Sequence, residues 1–441
     1  MLSSEFGVYA MNEMIGENGW RIKKIGDISS INPDSLSMST PSNLVIKYID
    51  IESVKPGKIL AYTDFEFKNA PSRARRIVKA GDIIVSTVRP YLRAFAYVTN
   101  EYDNCICSTG FVVLRTYEEY SANYLYQYVL SEQFMGQVLP LMVGSNYPAI
   151  NNKDVTNITI HIPKSKKEQQ KIAEILTTVD NNIGKTEVLI EKYKNIKQGM
   201  MQDLLTKGID EHGNIRSEET HEFKDSPIGR IPTTWDDCLI SDYISFQKSG
   251  LSRKISHEDI GVPVLTSSNI DNNSKLDVKE LKYWYESDPQ GANIADYVLE
   301  KGDILLCFIN SIEQMGKLCI FDDIGRPCIY TTNLFRIKAS TNTTPKFLYY
   351  LLLSHYVQNE IRVITKPAIN QASFTKQDFA KTKVPLISVE EQAKIVEALD
   401  SANAKIETEI IHLNKLTLLK QGLMQDLLIG KVRVPLEEAT G

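Results

Sequence analysis

Two runs early in the chain combine Arg with aromatic or turn-forming residues. They are Arg73-Ala74-Arg75-Arg76 and Arg89-Pro90-Tyr91-Leu92-Arg93, with Lys47-Tyr48 upstream. A guanidinium can fork onto guanine O6 and N7 or onto phosphate oxygens. Asn and Gln do the same for adenine edges, and Ser and Thr contact phosphates. Such residues recur in turn-rich stretches: Gly144-Ser145-Asn146-Tyr147 early on, then Thr266-Ser267-Ser268-Asn269, Asn310-Ser311, Lys366-Pro367 and Asn370-Gln371. The candidate nucleic-acid-contacting residues are therefore Lys47, Arg73, Arg75, Arg76, Arg89, Tyr91, Arg93, Ser145, Asn146 and Tyr147 in the first half. In the second half they are Ser267, Ser268, Asn269, Asn310, Lys366, Asn370 and Gln371. Each alone reads as a solvated loop residue; their joint placement between shared framework segments carries the reading.

Catalytic signatures are scarce. Gly430-Lys431 stands alone without a phosphate loop, and no Gly-x-Ser-x-Gly elbow or His-Glu-x-x-His helix occurs. No Asn/Asp-Pro-Pro-aromatic loop of an amino-methyltransferase is present. Glu280-Leu281-Lys282 with Asp271 or Asp277 faintly imitates a nuclease cluster, a charge mixture common on surfaces. The six cysteines are scattered, only Cys105 and Cys107 lie close, and no metal spacing emerges, so no metal site and a reduced cytoplasmic protein are expected. Met1–Gly19 lacks the pattern of a signal peptide, and no apolar run approaches a membrane span.

The net charge of −5 conceals an asymmetry. Residues 21–167 hold 18 Lys/Arg against 13 Asp/Glu, whereas residues 235–385 hold 17 against 18. The local excess in the first half favours phosphate contact more than the total suggests.

The elements that must position these residues come in duplicate. Lys197-Gln-Gly-Met-Met-Gln-Asp-Leu-Leu205 returns as Lys420-Gln-Gly-Leu-Met-Gln-Asp-Leu-Leu428. Glu168-Gln169 recurs as Glu391-Gln392, at the same offset of 223. Weaker echoes keep their order upstream. Trp20 and Asp27 match Trp235 and Asp242, Gly81-Asp82-Ile83 matches Gly302-Asp303-Ile304, and Pro148-Ala-Ile-Asn151 matches Pro367-Ala-Ile-Asn370. Ile83–Val88 and Ile304–Ile309 read as buried strands, Asn123–Leu130 and Pro345–Ser354 as short helices.

Each half then ends in a long helix. Ser165-x-x-Glu168 and Ser388-x-x-Glu391 have the form of capping boxes. Apolar residues follow a heptad seam: Ile172, Leu176, Val179, Ile183, Ile190, Tyr193, Met200 and Leu204 in one copy. The other copy gives Ile395, Leu399, Ala402, Ile406, Leu413, Leu416, Leu423 and Leu427. A helix over 168–205 would be about 57 Å long. Neither seam can stay exposed, so the simplest partner for one helix is the other, in antiparallel register with Lys197 against Glu409 and Thr186 against Lys420. Gly199 and Gly422 sit inside these helices, where Gly costs about 1 kcal/mol against Ala. They read as tolerated strain or as places where a partner's backbone comes close.

The chain resembles the specificity subunits of type I restriction–modification systems over nearly its whole length. The resemblance is carried by Glu168-Gln-Gln-Lys-Ile172 and Glu391-Gln-Ala-Lys-Ile395, each shortly after a Pro, and by the repeated helix ends. Ser226-Pro-Ile-Gly-Arg-Ile-Pro232…Trp235 looks like the family's lead-in to a target-recognition domain, and Val85-Ser-Thr-Val-Arg-Pro90 fits as well. Only Gly19-Trp20 remains of that lead-in in the first half. The resemblance implies a mixed α/β architecture: two α+β target-recognition domains separated by two long helices forming an antiparallel coiled coil, as a pseudo-two-fold repeat. The corresponding division is an N-terminal tail (1–19), recognition domain 1 (20–163), spacer helix 1 (164–206), connector (207–234), recognition domain 2 (235–385), spacer helix 2 (386–430) and C-terminal tail (431–441). It implies a non-catalytic reader of double-stranded DNA whose helices dock two adenine-methyltransferase subunits and, through them, two restriction/translocase subunits. S-adenosylmethionine, ATP and magnesium would belong to those partners, with no cofactor in this chain and no membrane. The competing reading is a coiled-coil adaptor whose globules bind proteins.

Overall fold

A computed structural model describes residues 19–368 and 371–435. The chain divides into two compact units, Met1–Val188 with Ile410–Gly441, and Leu189–Glu409. The division falls within the helices Lys166–Thr206 and Val389–Leu427.

Both units are built on one sheet plan. In the first, the strand order is Ser29–Ile31, Phe111–Thr116, Ile83–Ser86, Phe95–Tyr97; in the second it is Ile244–Ser249, Leu334–Ala339, Ile304–Cys307, Leu318–Ile320. Every neighbouring pair is antiparallel. The central strands are apolar throughout because both faces are covered, and successive side chains alternate between two cores. Ile83 and Val85 join the helix-side core of the first unit while Ile84 joins the opposite one. Ile304 and Leu306 are likewise separated from Leu305 and Cys307 in the second. A further sheet covers the other face, built around a parallel pair in each unit: Val45–Ile49 with Ile106–Ser108, and Val262–Leu265 with Ile329–Tyr330.

The Gly-Asp motif that begins each central strand is locked by an Arg from the adjoining strand. Arg115 donates from Nε and Nη2 to Asp82, both at 2.8 Å, and Arg336 donates from Nε to Asp303 at 2.6 Å. Both carboxylates are nearly inaccessible, so the Arg partners offset the cost of burying them.

The expected short helices span Ala122–Val129 and Pro345–Leu353, capped by Ser121 and Thr344. The long helices run Lys166–Thr206 and Val389–Leu427. Ser165 and Ser388 accept from the backbone N–H of Glu168 and Glu391 at 3.4 and 3.3 Å. The reciprocal half of the capping box is not made. Both Glu side chains are taken by Arg residues instead, Arg433 for Glu168 and Arg216 for Glu391. A guanidinium offers a buried carboxylate more than one backbone N–H does. The following Gln tethers each helix to its globule. Gln169 accepts from Ser121 N and donates to Pro163 O, while Gln392 accepts from Thr343 Oγ1 and donates to Asn342 O and Ile387 O.

Two sequence expectations are corrected. Lys420 reaches the Asp180 carboxylate at 2.5 Å rather than Thr186, a displacement of six residues, because an ammonium gains more from a carboxylate than from a hydroxyl. In the other unit burial holds the Lys197 ammonium below its ordinary value, with Lys275 adding to that effect and Asp400 opposing it. The match of Pro148–Asn151 to Pro367–Asn370 is also not structural. Ala149 pairs with Val88 and Val143, and the residue in that place in the second unit is Ser373, which pairs with Ile309 and Lys366. Asn151 and Thr375 then cap equivalent short helices, accepting from the N–H of Asp154 and Asp378. No helix among the described residues is long and apolar enough to cross a membrane.

Candidate nucleic-acid interface

In the first unit the chain leaves strand Ile83–Ser86, bridges Ala149 through Val88, and enters a 3-10 turn over Pro90–Leu92. Arg89 and Arg93 flank that turn with φ of 47° and 54°. Left-handed backbone is uncommon outside Gly and is held here by surrounding bonds. Arg89 N–H donates to Pro148 O at 2.7 Å. Its Nη2 donates to Asn146 O at 3.3 Å, and its guanidinium lies 4.6 Å from the Tyr147 ring centroid. Arg89, Asn146 and Tyr147 are therefore brought together across 57 residues of sequence.

Arg89 and Tyr147 border a cleft of about 780 Å³ lined also by Tyr48, Asp50, Glu52, Lys55, Arg73 and Ser108. Arg73 is exposed. Burial pushes the Tyr48 hydroxyl up, opposed by Ser108 and the charge of Arg73. Asp50 is fixed as the acceptor for Ser53 N and Oγ at 2.8 and 2.9 Å. Lys55, Arg73 and Arg89 outnumber Asp50 and Glu52 around the concavity, and with the Tyr48 and Tyr147 rings and the Ser108 hydroxyl they suit a polyanion that also presents donor and acceptor edges.

The remaining candidates of this half divide. Tyr91, Ser145 and Asn146 are exposed on the turn and the facing loop. Lys47 alternates with Tyr48 along its strand and lies over Tyr62 at 4.7 Å, off the cleft lining. Arg75 covers Phe67 at 4.9 Å and donates to Ala74 O. Arg76 is turned inward: it is buried and donates to Phe111 O and to Asn32 Oδ1. Arg93 is committed elsewhere, to Leu130 O at 3.3 Å and Glu132 at 2.6 Å, in a groove also lined by Lys420 and Met424. These two arginines hold the fold together instead of facing the cleft.

In the second unit Ile309–Asn310, Ala372–Ser373 and Lys366–Pro367 form a small antiparallel sheet. It gathers Asn310, Lys366 and, one residue before its middle strand, the exposed Gln371. Asn310 Nδ2 donates to Ser267 Oγ at 2.9 Å, joining a fourth candidate to the cluster. Ser268 is exposed and bonds Thr266. Asn269 is corrected: it is buried, accepts from Thr266, and donates to Asp277 O and Glu280 O. All its usual valences serve the loop. Asn370 lies outside the described residues. Asp271, of the faint nuclease cluster, accepts from Asn273 and Lys275 N–H as a turn residue. Among the described residues no group of three or more His, Cys, Asp or Glu is placed to hold a metal ion.

Sequence reading named Tyr48 only beside Lys47, chose the Lys as the contact, and missed Asp50 and Ser108 as cleft residues. Strict alternation along Val45–Ile49 was the available signal, since it sets Lys47 and Tyr48 on opposite faces.

The helix candidates serve the units' own cores first. Ile172, Leu176 and Leu427, with Leu423 at the margin, share the first unit's core, and Leu204, Ile395 and Leu399, with Met200, share the second's. Ile190 and Ile406 are buried; Ile183, Tyr193, Leu413 and Leu416 are half-buried. Gly199 and Gly422 are exposed, with open space where a Cβ would stand.

A repeated α+β module with a ligand-ready loop cluster at one edge, rooted in a long helix, defines a two-module recognition protein. The family model for the type I restriction modification DNA specificity domain matches residues 17–194 and 232–418, so the chain belongs to that family. It is 31% identical over 301 residues to the type I restriction enzyme MjaVIII specificity subunit of Methanocaldococcus jannaschii, covering 66% of each chain. It is 27% identical to the HindI specificity subunit of Haemophilus influenzae over 42% of this chain and 40% of that one. The chain thus matches two thirds or less of these relatives' own lengths. A solved chain from a study of complex assembly in the type I R-M system superposes with a TM-score of 0.62 at 23% identity, over 94% of this chain and 99% of that one. That likeness is one of fold.

Proposed function

We propose that the chain is the DNA-specificity subunit of a type I restriction–modification complex. Each unit reads one half of a bipartite double-stranded site through its loop cluster. The two long helices pair antiparallel and set the distance between the half-sites. The chain is non-catalytic. It directs two methyltransferase subunits and, through them, two restriction/translocase subunits, which carry S-adenosylmethionine, ATP and magnesium.

The observation that carries this reading is the recurrence of one edge, in the same place on the same sheet plan, with different polar side chains on it. Arg89, Asn146 and Tyr147 occupy it in one unit and Asn310, Ser267 and Lys366 in the other. A shared frame with changed contact residues suits readers of two different sequences. Docking by the helices is favoured by apolar side chains that no intramolecular face covers. Ile411 and Leu418, seven residues apart and so on one helical face, are 53% and 67% exposed, and Val188 is 71% exposed.

Mapping methylated adenines in cells carrying this chain with its methyltransferase tests the reading. A split motif is expected, and four residues inserted into the first long helix should lengthen its gap, since one turn of about 5.4 Å spans one to two base pairs. A contiguous motif, or a gap indifferent to the insertion, would overturn it. DNA affinity independent of salt would return the chain to the adaptor class.

A further inference from the structure

Arg89 and Asn310 occupy the same position in the two units. Each lies six residues beyond the first residue of its equivalent central strand, Ile83 and Ile304. The residue before each, Val88 or Ile309, pairs with the equivalent partners Ala149 and Ser373. Each is followed within two residues by a 3-10 turn, Pro90–Leu92 or Ile312–Gln314, and then by the edge strand of the sheet. The register leading to this position is shared, while the backbone there is left-handed at Arg89 (φ 47°) and extended at Asn310, and the side chain changes from Arg to Asn.

Both are side chains with a bidentate match to a purine edge. Arg donates twice to guanine O6 and N7, and Asn accepts from adenine N6 and donates to N7. Each is also pre-positioned for the task. The Arg89 guanidinium is laid over Tyr147, which fixes its plane. Only Nη2 has a protein acceptor, at 3.3 Å, and the buried Nε has none. Asn310 Oδ1 accepts from Ser311 N at 2.8 Å, which leaves one lone pair. Its Nδ2 gives one hydrogen to Ser267 Oγ, and near the other lies only the weak acceptor Cys307 Sγ at 3.7 Å. One acceptor site on Oδ1 is open to adenine N6, and the hydrogen held only by Cys307 Sγ is the one that adenine N7, a stronger acceptor, would take.

We propose that this position selects the base in each half-site, with Arg89 reading guanine in one half and Asn310 reading adenine in the other. The inference rests on the DNA-reading function proposed above.

The test uses the full chain with its methyltransferase in cells and reads the methylated motif for wild type, Arg89→Asn and Asn310→Arg. Arg89→Asn should reduce the preference for guanine at one position of one half-site about tenfold or more, leaving the other half unchanged. Asn310→Arg should shift one adenine position of the other half toward guanine. The unchanged half-site reports that the chain is folded. Should Arg89→Asn abolish methylation altogether, Asn310→Arg decides: a new guanine supports the assignment and an unaltered motif overturns it. An even drop over all sites with the motif intact would make Arg89 a phosphate contact and overturn the guanine assignment. A wild-type motif that is split but lacks guanine in one half overturns this inference alone. A wild type directing no motif removes the DNA-reading function itself.

Discussion

Arg433 donates from Nε to Oε1 of Glu168 at 2.6 Å and from Nη2 to Oε2 at 2.9 Å. A residue just past the end of the second long helix is thereby fastened to the start of the first. The other unit holds the reciprocal arrangement, in which Arg216, past the end of the first long helix, grips Glu391 at the start of the second. Glu391 also accepts from Trp235 Nε1 at 3.0 Å and Ile209 N at 2.8 Å. The repeated Glu is therefore a joint between helix, globule and returning chain.

Glu391→Ala leaves Arg216 buried and uncompensated, with only 11% of its side chain exposed. Losing one partner of such a pair costs about 3–5 kcal/mol. Thermal unfolding should show the second unit melting on the order of 10 °C lower. Replacing both residues by Leu and Met should recover most of that loss; a double variant as unstable as the single one would show that the pair itself is not the cause.

Gly208 has φ of +70°, and a Cβ there would run into Glu391, Arg216 and Trp235. Gly208→Ala should thus destabilise strongly. Gly199→Ala and Gly422→Ala meet nothing. Each should stabilise the isolated chain by about 0.5–1 kcal/mol and raise its melting temperature. Both should also weaken assembly with the methyltransferase, measured by titration. Unchanged assembly would reduce these glycines to tolerated strain.

The Arg253 guanidinium, with N–H donors from Ala292, Gln290 and Trp284, holds the Asp288 carboxyl well below the usual carboxylate range. A depressed folded-state value contributes stability that is fully present above the unfolded value of about 3.9 and lost as pH falls below it. The melting-temperature gap between wild type and Asp288→Asn should be constant from neutral pH down to about pH 5, then narrow on further acidification. A gap that widens in acid would reverse the assigned sign.

Arg73 and Arg76 should separate contact from architecture. Arg73→Ala should lower DNA affinity and reduce the slope of log K against log salt by about 1. Arg76→Ala should leave that slope alone and destabilise the first unit by about 1–3 kcal/mol, because Phe111 O loses its guanidinium donor and Asn32 Oδ1 keeps only Val113 N. Equal slopes for wild type and Arg73→Ala would take Arg73 out of the interface.

The duplicated frame was legible in the letters because it repeats. A constant offset of 223 between helix starts and helix ends needs only one chain to be seen. Apolar runs such as Ile304–Cys307 declare buried strands by composition, and a Ser three residues before a Glu marks where each long helix begins. What those elements do to individual side chains was not legible. Arg73, Arg75 and Arg76 are near neighbours, yet one borders the cleft, one covers a ring and one is buried, since a strand and its flank turn consecutive residues to different sides. The Glu of each capping box is drawn off by an Arg 265 or 175 residues away in sequence. The Pro-Ala-Ile-Asn echo looked like shared structure, but pairing with Val88 and Ile309 assigns that role to Ala149 and Ser373. Periodicity and repetition are local properties of a chain and survive in its sequence. The partner of a charge and the register of a bridge are set by which distant segments meet, and only the folded chain decides that.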